Sequence, residues 1–370
     1  KPQVMTPLEA CLLLQSIPGL GAHRAVRLIS HFGSAEAVFA ASSREWIEVE
    51  GIGEQLCIAL AQWKTYRSNV QASLETLERY ALQPLIFGTK AYPKPLSFCA
   101  DAPLVLFCQG ALDFQNRKIL SIVGTRQHTP QGKAFCEALV KSLQPYNPII
   151  CSGMARGIDI IAHQKALEQG LQTVACLAHG FDRIYPPEHR KFVQPIREQG
   201  CLMTDFLPNA VFRRENFPQR NRIIAGMAHA TVVIESGVSG GSMNTANLAH
   251  HYGRELFAVP GRPTDAKSEG CHQLILQQKA QLLTDPEQLI DALAWKRDSP
   301  LNPSIQKTLF YELDENEQKL YDVLSQRTKA PLDELAMALG WKISVTAAQL
   351  IQMEMKGLIR ALPGKQFEWI

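Results

Sequence analysis

The most constraining feature of the sequence is a regular alternation of short apolar runs and amphipathic segments between Asn116 and Leu293. The runs KILSIVG (118–124) and PIICSG (148–153) are apolar almost throughout, and QTVACLAHG, CLMTDF, ATVVIESG and ELFAVPG continue the series, most of them separated by helical segments. Strands that are apolar on both faces and separated by helices are typical of a parallel sheet covered on both sides. We therefore predict a Rossmann-like, doubly wound α/β core with a mostly parallel sheet.

The segment before this core reads as short helices separated by glycine turns. Two stretches, 17–34 and 49–60, each place a Gly-x-Gly turn before a helix. This pattern predicts a helix-hairpin-helix (SAM-like) module, in which backbone N–H groups at a helix start can receive a phosphate. The alternative is that the glycines only permit tight turns in a small bundle, because few basic residues accompany them.

The segment after the core begins with a polar, proline-punctuated stretch. Three short helical patterns and a two-stranded ribbon then follow in the order of a winged helix. The third pattern carries Gln349, Gln352 and Glu354, with Lys356 only at its end, which favours a protein contact or an accessory role over base-specific reading of a duplex. The predicted boundaries are 1–80 for the helical module, 81–295 for the extended core, 296–309 for a linker and 310–370 for the winged helix.

Composition excludes several classes of protein. With 46% hydrophobic and 20% charged residues the chain is typical of a globular protein, no apolar run approaches the roughly 20 residues of a membrane span, and the first residues lack a signal-peptide pattern. We therefore expect a cytoplasmic protein with no membrane partner. The nine cysteines are scattered without a CxxC pair, which predicts buried, reduced thiols and no metal. The net charge of +3 neither demands nor excludes a nucleic-acid partner.

The loop after the first core strand argues against a cofactor. Gly124, Thr125 and Arg126 stand where a dinucleotide fold needs GxGxxG, and the chain contains no GxxxxGK[ST] motif. Both a nicotinamide enzyme and a P-loop ATPase are disfavoured, so we expect no cofactor.

Four further loops follow strands of the predicted sheet, where ligands bind in such folds. They combine small residues, arginines and helix starts, which suit phosphate, and Phe217, which suits a stacked base. The candidate residues are Ser152, Gly153 and Arg156 in the second loop, Arg190 and Lys191 in the third, Phe217, Arg220, Asn221 and Arg222 in the fourth, and Gly240, Gly241 and Ser242 in the fifth. Several such loops on one edge fit a polymer of phosphates better than a single nucleotide.

Catalytic patterns are missing from the same loops. Asp159 is predicted to be an internal partner of an arginine, and His163 a histidine of the core. Glu235 and Asp159 are the only acids near the rim, and they are not enough to hold Mg²⁺ for a nuclease. We expect a binding protein with no catalytic residue and no metal.

Six motifs in order, IVGTR, SGMARGID, GFDRIYP, FPQRNRIIAG, SGGSMNTA and AVPG, closely resemble the DNA-processing protein A family (DprA, also called Smf). The resemblance covers nearly the whole chain. It implies a homodimer that binds and protects single-stranded DNA, displaces single-strand-binding protein and loads the RecA recombinase during natural transformation. It also implies phosphate contacts from the loop residues named above, with either Arg190 or Lys191 in place of a family lysine.

A second hypothesis is a nucleotide-processing enzyme of the phosphoribohydrolase (lysine-decarboxylase-like) type, which has a similar core. Those enzymes carry PGGxGTxxE, whose glutamate acts on the ribose. Here the run from Gly240 to Asn247 contains no carboxylate, and the next one is Glu255. This difference disfavours hydrolysis.

Overall fold

The computed structural model describes residues 5–110, 112–207, 210–296, 314–325, 330–356, 358–362 and 366–369. The chain divides into two compact units, 1–299 and 300–370. Within the described residues, no helix combines the length and the apolar character needed to cross a membrane.

The first unit begins with a bundle of six helices. They are α1 (Pro7–Ser16), α2 (Gly21–Phe32), α3 (Ala35–Ala40), α4 (Ser43–Trp46), α5 (Glu54–Ala61) and α6 (Arg67–Arg79), with a 3-10 turn at Trp63–Tyr66. Thr6 and Glu9 start α1 with a reciprocal capping box, which satisfies two N–H groups that a helix start leaves free. Five consecutive residues of α1, 10–14, are buried, so the other helices pack around it.

Two arginines of this module form hydrogen bonds with the backbone of its glycine turns. Arg24 donates to the carbonyl oxygen of Gly19 at 3.0 Å, and Arg27 donates to that of Glu50 at 3.1 Å. These guanidinium groups stabilise the turns from within the module, which favours the structural interpretation of the glycines over phosphate binding.

The core follows without a break. Its strands are β1 (Gln83–Ile86), β2 (Val105–Gly110), β3 (Ile119–Gly124), β4 (Ile149–Ser152), β5 (Thr173–Cys176), β6 (Gly200–Thr204), β7 (Ala230–Ile234), β8 (Glu255–Val259) and β9 (Gln281–Leu282). Its helices are α7 (Lys94–Ser97), α8 (Pro130–Ser142), α9 (Ile158–Glu168), α10 (Arg190–Gln199), α11 (Asn216–Met227), α12 (Gly241–His251), α13 (Glu269–Leu276) and α14 (Pro286–Ala292), with 3-10 turns at Gln144–Tyr146 and Pro187–His189.

All nine strands form one sheet in the order β1-β2-β6-β5-β4-β3-β7-β8-β9. The seven strands from β6 to β9 in this order pair in parallel, and β2 is antiparallel to both of its neighbours. Apolar clusters lie on both faces of the sheet. The predicted doubly wound, mostly parallel core is thereby confirmed.

The strand order also fixes where a ligand can bind. The chain passes from β3 to β4 on one side, whereas β7 pairs with β3 on the other. The crevice beyond the carboxyl ends of β3 and β7 is therefore the topological switch point, the usual ligand site of open α/β sheets.

The second unit contains α15 (Glu315–Ser325), β10 (Ala330–Pro331), α16 (Leu332–Leu339), α17 (Ile343–Met355), β11 (Ile359–Leu362) and β12 (Gln366–Trp369). Leu320, Leu335 and Leu350 are buried in its core. The winged-helix order is confirmed, although its ribbon gains a third short strand, since β12 pairs with both β11 and β10. The predicted linker lies outside the described residues, apart from its first position, and the predicted domain boundaries stay predictions.

Candidate nucleic-acid interface

A cavity of about 450 Å³ opens at the switch point between β3 and β7. Its walls come from three of the predicted loops, namely the one after β3, the start of α11, and the turn before α12; the second predicted loop adds Ala155 to its rim. The lining residues that were singled out from the sequence are Gly124, Thr125, Arg126, Phe217, Arg220, Asn221, Gly240, Gly241 and Ser242. The cavity has the size of a ligand pocket, and its exposed cation is Arg126.

The loop after β3 is fixed by close backbone packing. A side chain on Gly124 would come within 2.0 Å of the carbonyl oxygen of Ile234, and one on Gly157 within 2.1 Å of that of Thr125. The N–H of Thr125 donates to the carbonyl oxygen of Glu235 at 2.7 Å. Arg126 is exposed on this rigid loop, and its guanidinium lies over the ring of Phe217, 5.7 Å from the centroid.

Glu235, directly after β7, has a structural role. It adopts a left-handed backbone (φ 55°), and its buried carboxylate accepts hydrogen bonds from the N–H and the hydroxyl of Thr129, the residue that caps α8. A side chain on Gly132 would collide with this carboxylate. Among the described residues, no group of three or more His, Cys, Asp or Glu side chains is placed to hold a metal ion.

Buried hydrogen bonds stabilise the second predicted loop, which follows β4. The hydroxyl of Ser152 donates to the carbonyl oxygen of Ile122 at 2.6 Å, and the carboxylate of Asp159 accepts from the N–H groups of Gly153 and Ala155. Burial raises the pKa of Asp159, while the nearby guanidinium of Arg220 acts in the opposite direction. Asp159 is therefore an internal partner of an arginine, as predicted.

His163 lies in the core behind this loop. Its side chain is fully buried, and Nδ1 is 2.7 Å from the hydroxyl of Thr173. Burial lowers the pKa of His163 to about 3, so the ring is neutral at physiological pH. The interpretation as a core histidine is confirmed.

Two arginines of the fourth loop are placed differently from the expectation. Arg220 is only 4% exposed, and it donates to the carbonyl oxygens of Gly153 and Cys176. Arg222 forms an ion pair with Asp205 at 2.5 Å and donates to the carbonyl oxygen of Asp101. Because these guanidinium groups are engaged inside the protein, we do not propose phosphate contacts for either arginine.

Asn221 and Ser242 connect α11 to the start of α12. The amide of Asn221 donates to the carbonyl oxygen of Gly241 at 3.4 Å and to Asn244 at 3.3 Å. The hydroxyl of Ser242 donates to Ser236 at 2.7 Å. These contacts fix the N-terminus of α12 against the cavity, so its positive dipole end faces the space where an anion would bind.

The third loop lies to one side of the cavity. Arg190 and Lys191 are exposed at the start of α10 and are not among the residues that line the cavity. Arg156 is exposed and paired with Glu188, whose pKa is lowered by this hydrogen bond. Only Arg156 of these three reaches the depression next to the cavity, together with Tyr185 and Phe217.

Several lining residues are not among the candidates predicted from the sequence. Ser236, Asn244 and Thr245 line the cavity, whereas the candidates predicted in this part of the chain are Gly240, Gly241 and Ser242. Asn244 and Thr245 lie one turn into α12, and a helix repeats its face every three to four residues. Their spacing of three and four residues from Gly241 was the signal in the sequence that places them on the same face of α12.

The fold and this site define a class of protein, an α/β core with a cavity at its topological switch point, together with a helix-hairpin-helix module and a winged helix. Residues 83–294 match the family of DNA recombination-mediator protein A, residues 310–365 its winged-helix domain, and residues 12–79 a SAM-like helix-hairpin-helix tandem. The chain belongs to the DNA recombination-mediator protein A family.

Individual relatives agree with this assignment. The chain is 33% identical to Protein Smf of Escherichia coli over 309 residues, 80% of each chain. The crystal structure of DNA processing protein A from Streptococcus pneumoniae superposes with a TM-score of 0.67 at 27% identity, over 80% of this chain and all of that one. A structure of the Helicobacter pylori protein, described for its single-stranded DNA binding mode, matches with a TM-score of 0.53 at 27% identity, over 58% of this chain and 98% of that one.

Proposed function

We propose that this protein binds single-stranded DNA along the edge formed by the carboxyl ends of its parallel strands. The observation that carries the proposal is the convergence at one cavity of the N-terminus of α12, the exposed Arg126 and the ring of Phe217. Backbone amides and a cation suit phosphate, and an aromatic ring suits a base. The single-stranded DNA binding described for the Helicobacter pylori relative supports the same ligand here.

The residues that we propose to contact the strand line the cavity or the depression next to it. They are Gly124, Thr125, Arg126, Arg156, Phe217, Gly240, Gly241 and Ser242, with Arg190 and Lys191 available to a strand that continues past α10. Ser152, Gly153 and Asn221 support these contacts from beneath through their internal hydrogen bonds.

We infer that the protein acts as a homodimer. Leu276 at the end of α13 is 81% exposed, and Leu282 on the edge strand β9 is 52% exposed. An edge strand with unpaired backbone groups beside apolar side chains is suited to pairing with another chain. A second copy of this chain is the occupant that the family resemblance implies.

Recombinase loading completes the proposal. A dimer that covers single-stranded DNA would protect it in the cytoplasm, displace single-strand-binding protein and deliver the strand to RecA. In this role the protein is a binding protein and performs no catalysis. The winged helix would serve protein contacts, because α17 contains no lysine or arginine and Lys356 at its end is paired with Glu317.

A nucleotide-processing enzyme is the second candidate. A carboxylate close to the ribose would have to lie near the glycine turn before α12. The next carboxylate along the chain is Glu255, the first residue of β8. It therefore lies at the amino ends of the parallel strands, whereas the glycine turn lies at their carboxyl ends. Two acids lie nearer to that turn: Glu235 accepts hydrogen bonds from Thr129, and the cavity-lining Asp159 accepts hydrogen bonds from the N–H groups of Gly153 and Ala155. These placements favour binding over hydrolysis.

The test is fluorescence anisotropy of the full chain with a labelled homopolymeric single strand and a matched duplex across a salt series. Preference for the single strand, with log affinity falling by about 0.7 per decade of salt for each phosphate neutralised, supports the proposal. Equal binding or a duplex preference would direct attention to the winged helix, and absence of binding would call for an assay of nucleoside monophosphate hydrolysis.

A further inference from the structure

Three aromatic rings form a continuous surface cluster beside the cavity. The ring centroid of Tyr185 lies 5.2 Å from that of Phe212 and 5.8 Å from that of Phe217, and the two phenylalanines are 5.8 Å apart. The rings meet at angles of 50° to 72°, so they pack edge to face rather than as a closed stack. We call Tyr185, Phe212 and Phe217 the aromatic cluster.

An arginine lies at each end of the aromatic cluster. Arg126 lies over Phe217, 5.7 Å from its centroid, and Arg183 lies over Phe212, 5.8 Å from its centroid. Cations at this distance are attracted by the ring faces. The aromatic cluster is therefore flanked by Arg126 of the loop after β3 and by Arg183 of the loop after β5, which also pairs with Asp182.

The aromatic cluster is accessible to a ligand and continuous with the proposed phosphate site. Tyr185 is 42% exposed. Phe217 lines the main cavity, and together with Tyr185 and Arg156 it also lines the adjoining depression. A strand whose phosphates occupy the cavity would bring its bases to these rings.

We propose that the aromatic cluster binds unstacked nucleobases, so that Tyr185 makes the affinity for a single strand depend on its bases. This inference rests on the proposed single-stranded DNA binding and extends its base contact from Phe217 to Tyr185 and Phe212. The charges select a polyanion, since Arg213 and Arg214 are also exposed beside Phe212. The rings select flat aromatic faces, which a duplex hides within its own stack. A strand with exposed bases offers both features.

The experiment compares a labelled oligothymidylate with a strand of the same length whose bases are replaced by abasic sites, using the full chain. The wild type is expected to bind the thymidylate strand more tightly. Tyr185→Leu keeps an apolar side chain but removes the ring, and is expected to weaken thymidylate binding about 5- to 100-fold while binding of the abasic strand stays unchanged. Tyr185→Trp is expected to restore the difference between the two strands.

Each other outcome overturns the proposal. Equal weakening of both strands by Tyr185→Leu would show that the residue only shapes the neighbouring loop. Equal wild-type affinity for the two strands, with a preserved salt dependence, would reject base stacking and leave the proposed function standing. Failure of the wild type to bind either strand would reject both. The comparison of the two strands with the wild-type protein tests the proposal even if Tyr185→Leu does not fold.

Discussion

The guanidinium group of Arg220 occupies the space that a side chain on Gly153 would need. Its Nη1 donates to the carbonyl oxygen of Gly153 at 2.7 Å, and a Cβ on Gly153 would lie 2.7 to 2.8 Å from the guanidinium atoms. Helix α11 and the loop after β4 are thus interlocked. This contact determines the position of the loop that carries Arg156 toward the proposed strand.

Gly153→Ala is expected to destabilise the protein by about 1 to 3 kcal/mol, because the methyl group would displace a buried arginine. Gly241→Ala is the matched control, since a Cβ there has no neighbour within 4 Å. It should change stability by less than about 0.5 kcal/mol. Urea unfolding followed by circular dichroism measures both. Equal stability of the two variants would show that Arg220 moves aside without cost.

Arg220→Met is expected to cost about 3 to 5 kcal/mol of folding stability, because it leaves two buried carbonyl oxygens without their donor and removes a positive charge that interacts with the buried Asp159 carboxylate. Arg126→Met, in an exposed loop, should leave stability nearly unchanged. Thermal unfolding of the two variants compares them directly. A fully stable Arg220→Met protein would instead make Arg220 available as a ligand contact.

Arg126→Glu is expected to weaken single-strand binding by a few kcal/mol, roughly 2 to 4, since it removes a phosphate partner and adds repulsion. It should also make the slope of log affinity against log salt shallower by about 0.7. Lys141→Glu makes the same charge change in the last turn of α8, about 16 Å along the helix from its start, and serves as the control. Similar losses from both changes would indicate a general charge effect.

Leu276→Glu is expected to convert the proposed dimer to a monomer without unfolding it, because the side chain is 81% exposed within one copy. Phe98→Glu is the control, as Phe98 is 73% exposed outside α13 and β9. Light scattering coupled to size-exclusion chromatography reports the mass. If only Phe98→Glu dissociates the dimer, the interface includes the surface around Phe98 and not α13 and β9.

The sequence predicts the sheet well and the roles of the arginines poorly. Strands such as β3 and β7 are apolar on both faces, so their pattern alone places them inside a parallel sheet. Arg220 and Arg222 are two residues apart on α11, and that spacing turns their side chains about 200° from each other. One therefore points to Gly153 and the other to Asp205, although both belong to the same basic motif.

The role of Glu235 was equally hidden in the sequence. Its carboxylate meets Thr129 only because β7 pairs with β3 and brings residues 106 positions apart together. A single sequence carries no local signal for such a contact. Phe212 was missed for a related reason, since its partner Tyr185 lies in the loop after a different strand.

The burial of every thiol has a practical consequence. All nine cysteines, spread over the helical module and the core, are free and buried. A maleimide dye therefore finds no reactive group on the folded surface, and a cysteine introduced at the exposed Lys141 would be labelled selectively without removal of any native one. The distance from this dye to a second dye on an added strand could then be followed.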